Sequence, residues 1–246
     1  MAGAGLVLAA GFSKRFRREV GLHKVAVSVK GYPLLCYPLA SLILAGVERV
    51  FVVASQFNLN IVESALEQCP YEASDTILSP LSILGNGFSL VEGLMEAGAR
   101  GYGCLAVSMG DHIYPPSIAR RVLEAGCNAL GVDSRPAYID LREATHVSME
   151  PGGLRLGKGL DGCCVDIGLH TLDTGLAALG CIDPSPEGEA GVSQVITCAS
   201  QRGYRFSLVD VGGGPWTEVD STEDLERLLS GVGSRVLEAV RGEWGF

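Results

Sequence analysis

The chain has 246 residues, of which 47% are hydrophobic and 19% charged, and a formal charge of −9. At this length it buries a core without metal or disulfide staples, and its composition excludes a disordered chain. The acidic balance excludes the broad basic face of a nucleic-acid binder, and no apolar run reaches the ~18–20 residues that cross a bilayer. No basic region precedes the first apolar run, so a cytoplasmic protein without signal peptide or membrane insertion is expected.

In chain order, Leu6 to Ala10 is an apolar run ending in small residues and Gly11, a buried strand that breaks into a loop. The loop that follows is cationic, with Lys14, Arg15, Arg17, Arg18 and Lys24 supplying five of the 19 basic residues. It is either a solvated basic turn or the grip on an anion. Val25 to Val29 alternates as a short strand, and Tyr32-Pro33 starts a helix through Ala45. Strands follow over Arg49–Ala54 and Thr76–Leu78, with a helix over Asn60–Gln68 between them. Gly85-Asn86-Gly87 opens a helix over Phe88–Ala97. Cys104 to Ser108 is a second buried strand, ending in Met109-Gly110-Asp111-His112. A helix from Pro115-Pro116 to Ala125 and a strand over Ala129–Val132 complete this half. The alternation implies a doubly wound α/β layout, with ligands outside the carboxyl ends of the strands.

The second half reads differently. Thr145–Met149 and Leu154–Leu156 flank Pro151-Gly152-Gly153 as a hairpin. Val165–Thr171 and Arg205–Val211 are strands, and Val192–Gln201 is a helix. Ser221 begins a final helix, and Val232, Val236, Leu237 and Val240 extend an amphipathic tail. Trp244 and Phe246 are expected to pack on the body or a second subunit. No linker divides the chain. It reads as one domain, with a first half over about 1–132, a second half over about 133–220 and a C-terminal helix over 221–246.

Several motifs fail on context. Gly3-x-Gly5 precedes the first strand, where a dinucleotide fingerprint follows it. Gly152 to Lys158 matches G-x-x-x-x-G-K, but Gly159 stands where Ser or Thr is needed, and a hairpin precedes it. The eight cysteines form no C-x-x-C pair, so zinc is not expected. Cys104 reads as a small buried residue, and disulfides are rare in a cytosolic chain except in hyperthermophiles.

Two carboxylates remain. Asp111 ends a buried strand, where a lone carboxylate is costly unless paired or metal-bound. Asp220, in Trp216-Thr217-Glu218-Val219-Asp220-Ser221, is either the N-cap of the final helix or a ligand. With the Gly11 loop and Lys24, two strand-end carboxylates suit one Mg²⁺ bridging phosphates.

Leu8-Ala9-Ala10-Gly11-x-x-x-Arg15, with Lys24 ahead of an alternating strand, resembles the nucleotidyltransferases that make activated sugars and alcohols. Gly85-Asn86-Gly87-Phe88-Ser89-Leu90, Met109 to Tyr114, Asp133 to Pro136, Ile139-Asp140, Glu143 to Thr145, Gly157-Lys158, Cys164 to Gly168 and Trp216 to Ser221 narrow the likeness. Together they resemble the archaeal CTP:inositol-1-phosphate cytidylyltransferase branch, over roughly residues 4 to 229. The resemblance implies a Rossmann-like, doubly wound, mixed and mostly parallel sheet of the nucleotide-diphospho-sugar transferase type, with a small β-hairpin substrate lobe. It implies that Leu8, Ala9, Ala10 and Gly11, with Gly85, Asn86 and Gly87, hold the cytidine nucleotide, and that Arg15 and Lys24 are catalytic cations. Asp111 and Asp220 would bind Mg²⁺. Asp140, Glu143 and Asp166 would face the hydroxyls of a phosphorylated polyol, and Lys158 its phosphate. The implied partners are CTP, that polyol and, for the product, a membrane CDP-alcohol phosphotransferase, which makes this chain the stand-alone transferase.

Ser13, His23, Val25, Leu84 and Glu218 depart from the branch's pattern, and Glu218 stands where an aspartate is usual. Alternatives are another phosphorylated alcohol, a sugar 1-phosphate or another nucleotide in the same chemistry, and a non-catalytic nucleotide-binding regulator.

Overall fold

The computed structural model describes residues 2–182 and 190–245, the Arg15 side chain excepted. The chain opens with β1 (Ala4–Leu8), every residue of which is buried, and continues into α1 (Lys14–Val20). The helix was not anticipated: in a segment dominated by Lys, Arg and Glu, Phe16 is the one described side chain that is fully buried, which gives no repeating apolar spacing. The expected strand over Val25–Val29 is a 3-10 turn at Lys24–Ala26 followed by β2 (Ser28–Val29), which pairs antiparallel with β3 (Tyr32–Pro33). Lys30 (φ 48°) and Gly31 (φ 100°) form the two-residue turn between them, the arrangement that suits tight hairpins. The next helix, α2, therefore starts only at Cys36 and runs to Leu44.

β4 (Val50–Ala54), α3 (Leu59–Leu66), β5 (Asp75–Leu78), α4 (Asn86–Ala99) and β6 (Cys104–Met109) follow. Then come a short β7 (His112–Ile113), α5 (Pro116–Glu124), β8 (Ala129–Asp133), the hairpin β9 (Thr145–Glu150) and β10 (Gly153–Lys158), and the long β11 (Cys164–Asp173). α6 (Val192–Gln201), β12 (Ser207–Asp210), β13 (Thr217–Glu218), α7 (Thr222–Ser230) and α8 (Ser234–Trp244) complete it. The C-terminal segment is thus two helices, separated at Gly231 to Gly233.

Among the described residues nine strands form one mixed sheet, with β10-β9-β11-β6-β1-β4-β5 in order, β8 joined to β11 and β12 joined in turn to β8. The β6-β1-β4-β5 portion is parallel, and β11 runs antiparallel to β6, β8 and β9. Alternate residues of β1 feed opposite cores. Val7 packs with Leu39, Val52 and Ile118, whereas Leu6 and Leu8 pack with Leu90, Leu94 and Ile196. Helices on both faces make the sheet doubly wound, as expected. A third cluster joins Phe16, Tyr37, Val219, Leu237 and Trp244, so Trp244 packs on the body; Phe246 lies outside the described residues.

The cysteines correct the sequence reading. Cys36–Cys69, Cys104–Cys127 and Cys181–Cys198 are disulfides, and Cys104 is half of one instead of a lone buried thiol. Cys163 and Cys164 carry thiols.

Candidate active site

β1 and β6 are parallel neighbours, so their carboxyl ends open into one cleft. After β1 the chain is tied back from below: Asn58 Nδ2 donates to Ala9 O at 2.8 Å, and His23 Nε2 donates to Gly11 O at 2.8 Å. Carbonyls fixed on one side turn the adjoining N–H groups to the other side of each trans peptide. Neither Asn58 nor the role of His23 was legible in sequence.

The opposite wall is the Gly85-Asn86-Gly87 turn. A Cβ on Gly85 would lie 2.2 Å from Ala190 O, and one on Gly87 2.8 Å from Gly191 O. Both glycines admit the backbone at 190–191, which Ala190 N→Leu84 O (2.7 Å) and Gly87 N→Ala190 O (2.9 Å) clip in place. Asn86 Oδ1 accepts from Val192 N at 3.0 Å, so its side chain caps α6. Gly11, Gly85 and Asn86 line a cavity of about 340 Å³. Leu8, Ala9 and Ala10 line a second of about 130 Å³ that shares Gly11 and Asn86.

Lys24, on the turn after α1, joins these cavities to two more. Its Nζ donates to Asp220 Oδ1 at 2.6 Å and also contacts Asp111 Oδ2. The lysine and Asp111 side chains are 17% and 10% exposed, that of Asp220 45%. The two carboxylates are held together by backbone: β13 pairs antiparallel with β7, matching Glu218 with His112, and Val219 N donates to Asp111 O at 3.1 Å. Asp220 is free for this role because Ser221 caps α7, its hydroxyl accepting from Asp224 N at 3.2 Å. Burial alone would lower the Lys24 ammonium, but the two aspartates override it and hold its pKa above the usual lysine range. Burial would likewise raise Asp111, yet Lys24 and His112 hold it well below the carboxylate range.

His112 and Glu218 complete the cluster, and sequence reasoning gave neither a role. His112 Nδ1 donates to Asp111 Oδ1 at 2.8 Å, and its Nε2 lies 3.4 Å from Glu218 Oε2. The ring stacks on Trp216, whose Nε1 donates to the buried Asp133 at 2.7 Å. Burial opposes the imidazolium, but Asp111 and Glu218 raise its pKa to about 9. Burial pushes Glu218 up to about 7. A carboxylate followed by a histidine at a strand end was the available signal.

On the far side of Asp111, a cavity of about 270 Å³ is bordered by Lys158, Asp166, His170 and Glu218. Asp166 Oδ1 accepts from Gly168 N at 2.8 Å, at a bulge in β11 where Gly168 has φ 65° and abuts His112. Lys158 pairs with Glu143 at 2.9 Å, and both border a further cavity of about 250 Å³ with Lys24 and Asp220. Asp140 is not brought in. Its carboxylate is occupied by Arg142 (2.6 and 3.0 Å), and its carbonyl accepts from Glu143 N, which sets the turn that presents Glu143. Arg15 lies in the first turn of α1, and its side chain is outside the described residues.

Lys24, Asp111 and Asp220 thus converge across 196 residues of sequence. Two carboxylates meeting at one cation are the donor set that Mg²⁺ takes alongside phosphate oxygens. Among the described residues no group of three or more His, Cys, Asp or Glu could hold a metal.

Residues 5–138 match the MobA-like NTP transferase domain family. A bifunctional IPC transferase and DIPP synthase of Thermococcus kodakarensis is 27% identical over 225 residues, 90% of this chain and 49% of that protein. One of the same name from Rubrobacter xylanophilus is 32% identical over 227 residues, 89% of this chain and 49% of that protein. The chain therefore spans about half the length of both relatives. The inositol-1-phosphate CTP transferase from T. maritima superposes with a TM-score of 0.80 at 26% identity, covering 97% of this chain and 98% of that one. A putative glucose-1-phosphate thymidylyltransferase from Bacillus anthracis shares the fold, with a TM-score of 0.74 at 16% identity over 94% and 95% of the two chains.

Proposed function

The chain belongs to the MobA-like NTP transferase domain family and is a nucleotidyltransferase; we propose that it transfers CMP from CTP to inositol 1-phosphate, giving CDP-inositol and pyrophosphate. The observation that carries this reading is Lys24 Nζ between Asp111 and Asp220, where the cavities on either side of the centre meet. Supporting the choice of substrates is the name of the T. maritima neighbour, which covers nearly the whole chain.

The acceptor's phosphate monoester has its second pKa near 6, so the attacking oxygen is ionised at neutral pH and no general base is required. What the reaction needs is alignment of two polyanions and neutralisation of charge on the α-phosphoryl group and leaving pyrophosphate. In this reading the Leu8–Gly11 and Gly85–Gly87 walls hold the nucleotide, and Lys24 and Arg15 neutralise the triphosphate. Lys158, Glu143 and Asp166 bind the acceptor, with Asp140 setting the loop that carries Glu143. Asp111 and Asp220 would hold Mg²⁺, which supplies charge neutralisation at the phosphate oxygens. His112, paired with Asp111 and Glu218, keeps the Asp111 carboxylate oriented and ionised.

We place this activity in the cytoplasm, where CTP is available; no helix of the described residues is long and apolar enough to cross a membrane. CDP-inositol would pass to a membrane CDP-alcohol phosphotransferase, and both longer relatives carry a second activity in their names. The test is pyrophosphate release from CTP, UTP, dTTP and GTP against inositol 1-phosphate, glucose 1-phosphate and glycerol 3-phosphate, with and without Mg²⁺. The reading predicts release that needs CTP, inositol 1-phosphate and Mg²⁺ together. Turnover of a different pair reassigns the substrates, and binding of CTP with no turnover of any pair makes the chain a non-catalytic binder.

A further inference from the structure

Two cysteines that the proposed reaction does not use stand side by side where β11 begins. Cys163 and Cys164 are thiols, whereas disulfides join the other six cysteines. Cys163 is exposed, in the bend that leads into the strand; Cys164 is the first strand residue and is buried. Neighbours along an extended strand point to opposite faces, which keeps adjacent thiols apart. Here the bend cancels that alternation and brings the two sulfurs to 2.9 Å of each other.

Such a pair suits exchange with a disulfide. Burial pushes the Cys164 thiol up to about 12, so the exposed Cys163 is the attacking sulfur. Cys163 gives its proton to solvent and attacks one sulfur of an incoming small disulfide, from which one thiolate leaves. The Cys164 sulfur then attacks Cys163 in the mixed disulfide, its proton going to the second departing thiolate. The two cysteine thiols are oxidised to one disulfide, and the small disulfide is reduced to two thiols.

Sequence adjacency makes this bond unlike the other three. Consecutive Cα atoms lie about 3.8 Å apart across a trans peptide, below the roughly 4.4–6.8 Å of ordinary disulfides. The Cα atoms of Cys36–Cys69, Cys104–Cys127 and Cys181–Cys198 are 5.1, 6.0 and 5.5 Å apart. Closure between neighbours therefore displaces the backbone at 163–164 and gives a readily reduced bond. That backbone anchors the β9–β10 hairpin: Cys163 N donates to Val147 O at 3.0 Å, and Cys164 is matched with Val147 in the β11–β9 register. A Cβ on Gly162 would lie 2.4 Å from Val147 O, so the contact has no slack. Two residues before Val147, Thr145 pairs with Lys158, and both border the cavity beyond Asp111 together with Asp166.

We propose that Cys163 and Cys164 are a modification site, a vicinal dithiol that closes reversibly on small-molecule disulfides and, once closed, weakens acceptor binding through the hairpin. The effect on the acceptor rests on the nucleotidyltransferase reading; the thiol chemistry does not. Oxidised glutathione is the probe, added to the full chain without reductant and then removed. The intact mass falls by two hydrogens with no glutathione retained, and the thiols titrated in denaturant fall from two to none. Dithiothreitol at low concentration restores both thiols while the three disulfides stay closed. Cys164→Ser, which cannot close the bond, keeps one glutathione on Cys163. In pyrophosphate release, closure raises the KM for inositol 1-phosphate by about tenfold, the worth of one hydrogen bond, and leaves that for CTP unchanged. Cys163→Ser is insensitive to the treatment.

A glutathione adduct retained on the wild-type protein, thiols that survive the treatment, or a bond that opens only together with the other three overturns the dithiol site. A closed form with an unchanged KM for inositol 1-phosphate overturns its link to the acceptor. Failure of the proposed reaction shows separately, as absent pyrophosphate release in untreated protein, and the mass and titration results then decide the site by themselves.

Discussion

Replacing Lys24 with methionine keeps the length of the stem and removes only the ammonium. Two losses follow, and the structure sizes both. The Lys24 and Asp111 side chains are 17% and 10% exposed, and removing one member of such a pair costs about 3–5 kcal/mol. His112 still donates to Asp111 at 2.8 Å, which puts the expectation near the lower end, about 3 kcal/mol. Asp220, 45% exposed and solvated, adds at most about 1 kcal/mol. The catalytic loss is a separate quantity. A cation facing the developing charge on the transferred phosphoryl group is worth about 2.7–4 kcal/mol of barrier, a hundredfold to a thousandfold in turnover. Urea unfolding measures the first, and saturating pyrophosphate-release rates on the folded variant measure the second. A variant destabilised by about 3 kcal/mol that turns over within about tenfold of the wild type would show Lys24 to be a structural clamp and nothing more.

Stability should fall as pH rises from about 7 to 9, above the range in which the lowered pKa values of the buried His23 and His170 act in the opposite sense. Glu218, with its pKa raised to about 7 in the fold, ionises more easily when unfolded, so its contribution is lost between about 4.5 and 7. His112, with its pKa raised to about 9, contributes fully below about 6.5 and loses roughly 3 kcal/mol as pH rises through 9. Unfolding of His112→Asn at pH 6 and pH 9 should show the upper limb flattened; an undiminished decline would place its source elsewhere. For the cysteines, a thiol reagent in denaturant without reductant should find two groups, Cys163 and Cys164, and eight after reduction. Eight groups at the outset would contradict the three disulfides. Closing the 33-residue Cys36–Cys69 loop should itself contribute about 3–4 kcal/mol, lost on reduction.

The sequence carried the parallel half of the fold well, because β1, β4 and β6 are continuous apolar runs followed by turn residues. It also carried Asp111, whose place at the end of such a run is chemically conspicuous. Asp220 was ambiguous for a physical reason: Asp and Ser both cap helices, and only the Ser221–Asp224 bonds show which residue does. The Val25, Val27 and Val29 alternation was genuine as burial yet misleading as strand, because a turn at Lys24–Ala26 swings the lysine toward Asp111. Glycines 85 and 87 read as a nucleotide-facing turn; what the sequence did not show is that they also make room for the backbone at 190–191, about a hundred residues away. Disulfide pairing was beyond reach, since eight cysteines allow 105 full connectivities. His170 was invisible because nothing in a β-strand's pattern marks a histidine as buried beside an aspartate.

The measurement closest to the central claim is the position of Mn²⁺, substituting for Mg²⁺, located by anomalous scattering in crystals grown with CTP. An ion coordinated by both Asp111 and Asp220 and by phosphate oxygens is the predicted result. An ion that touches neither carboxylate, with the triphosphate bound away from Lys24, would contradict the account.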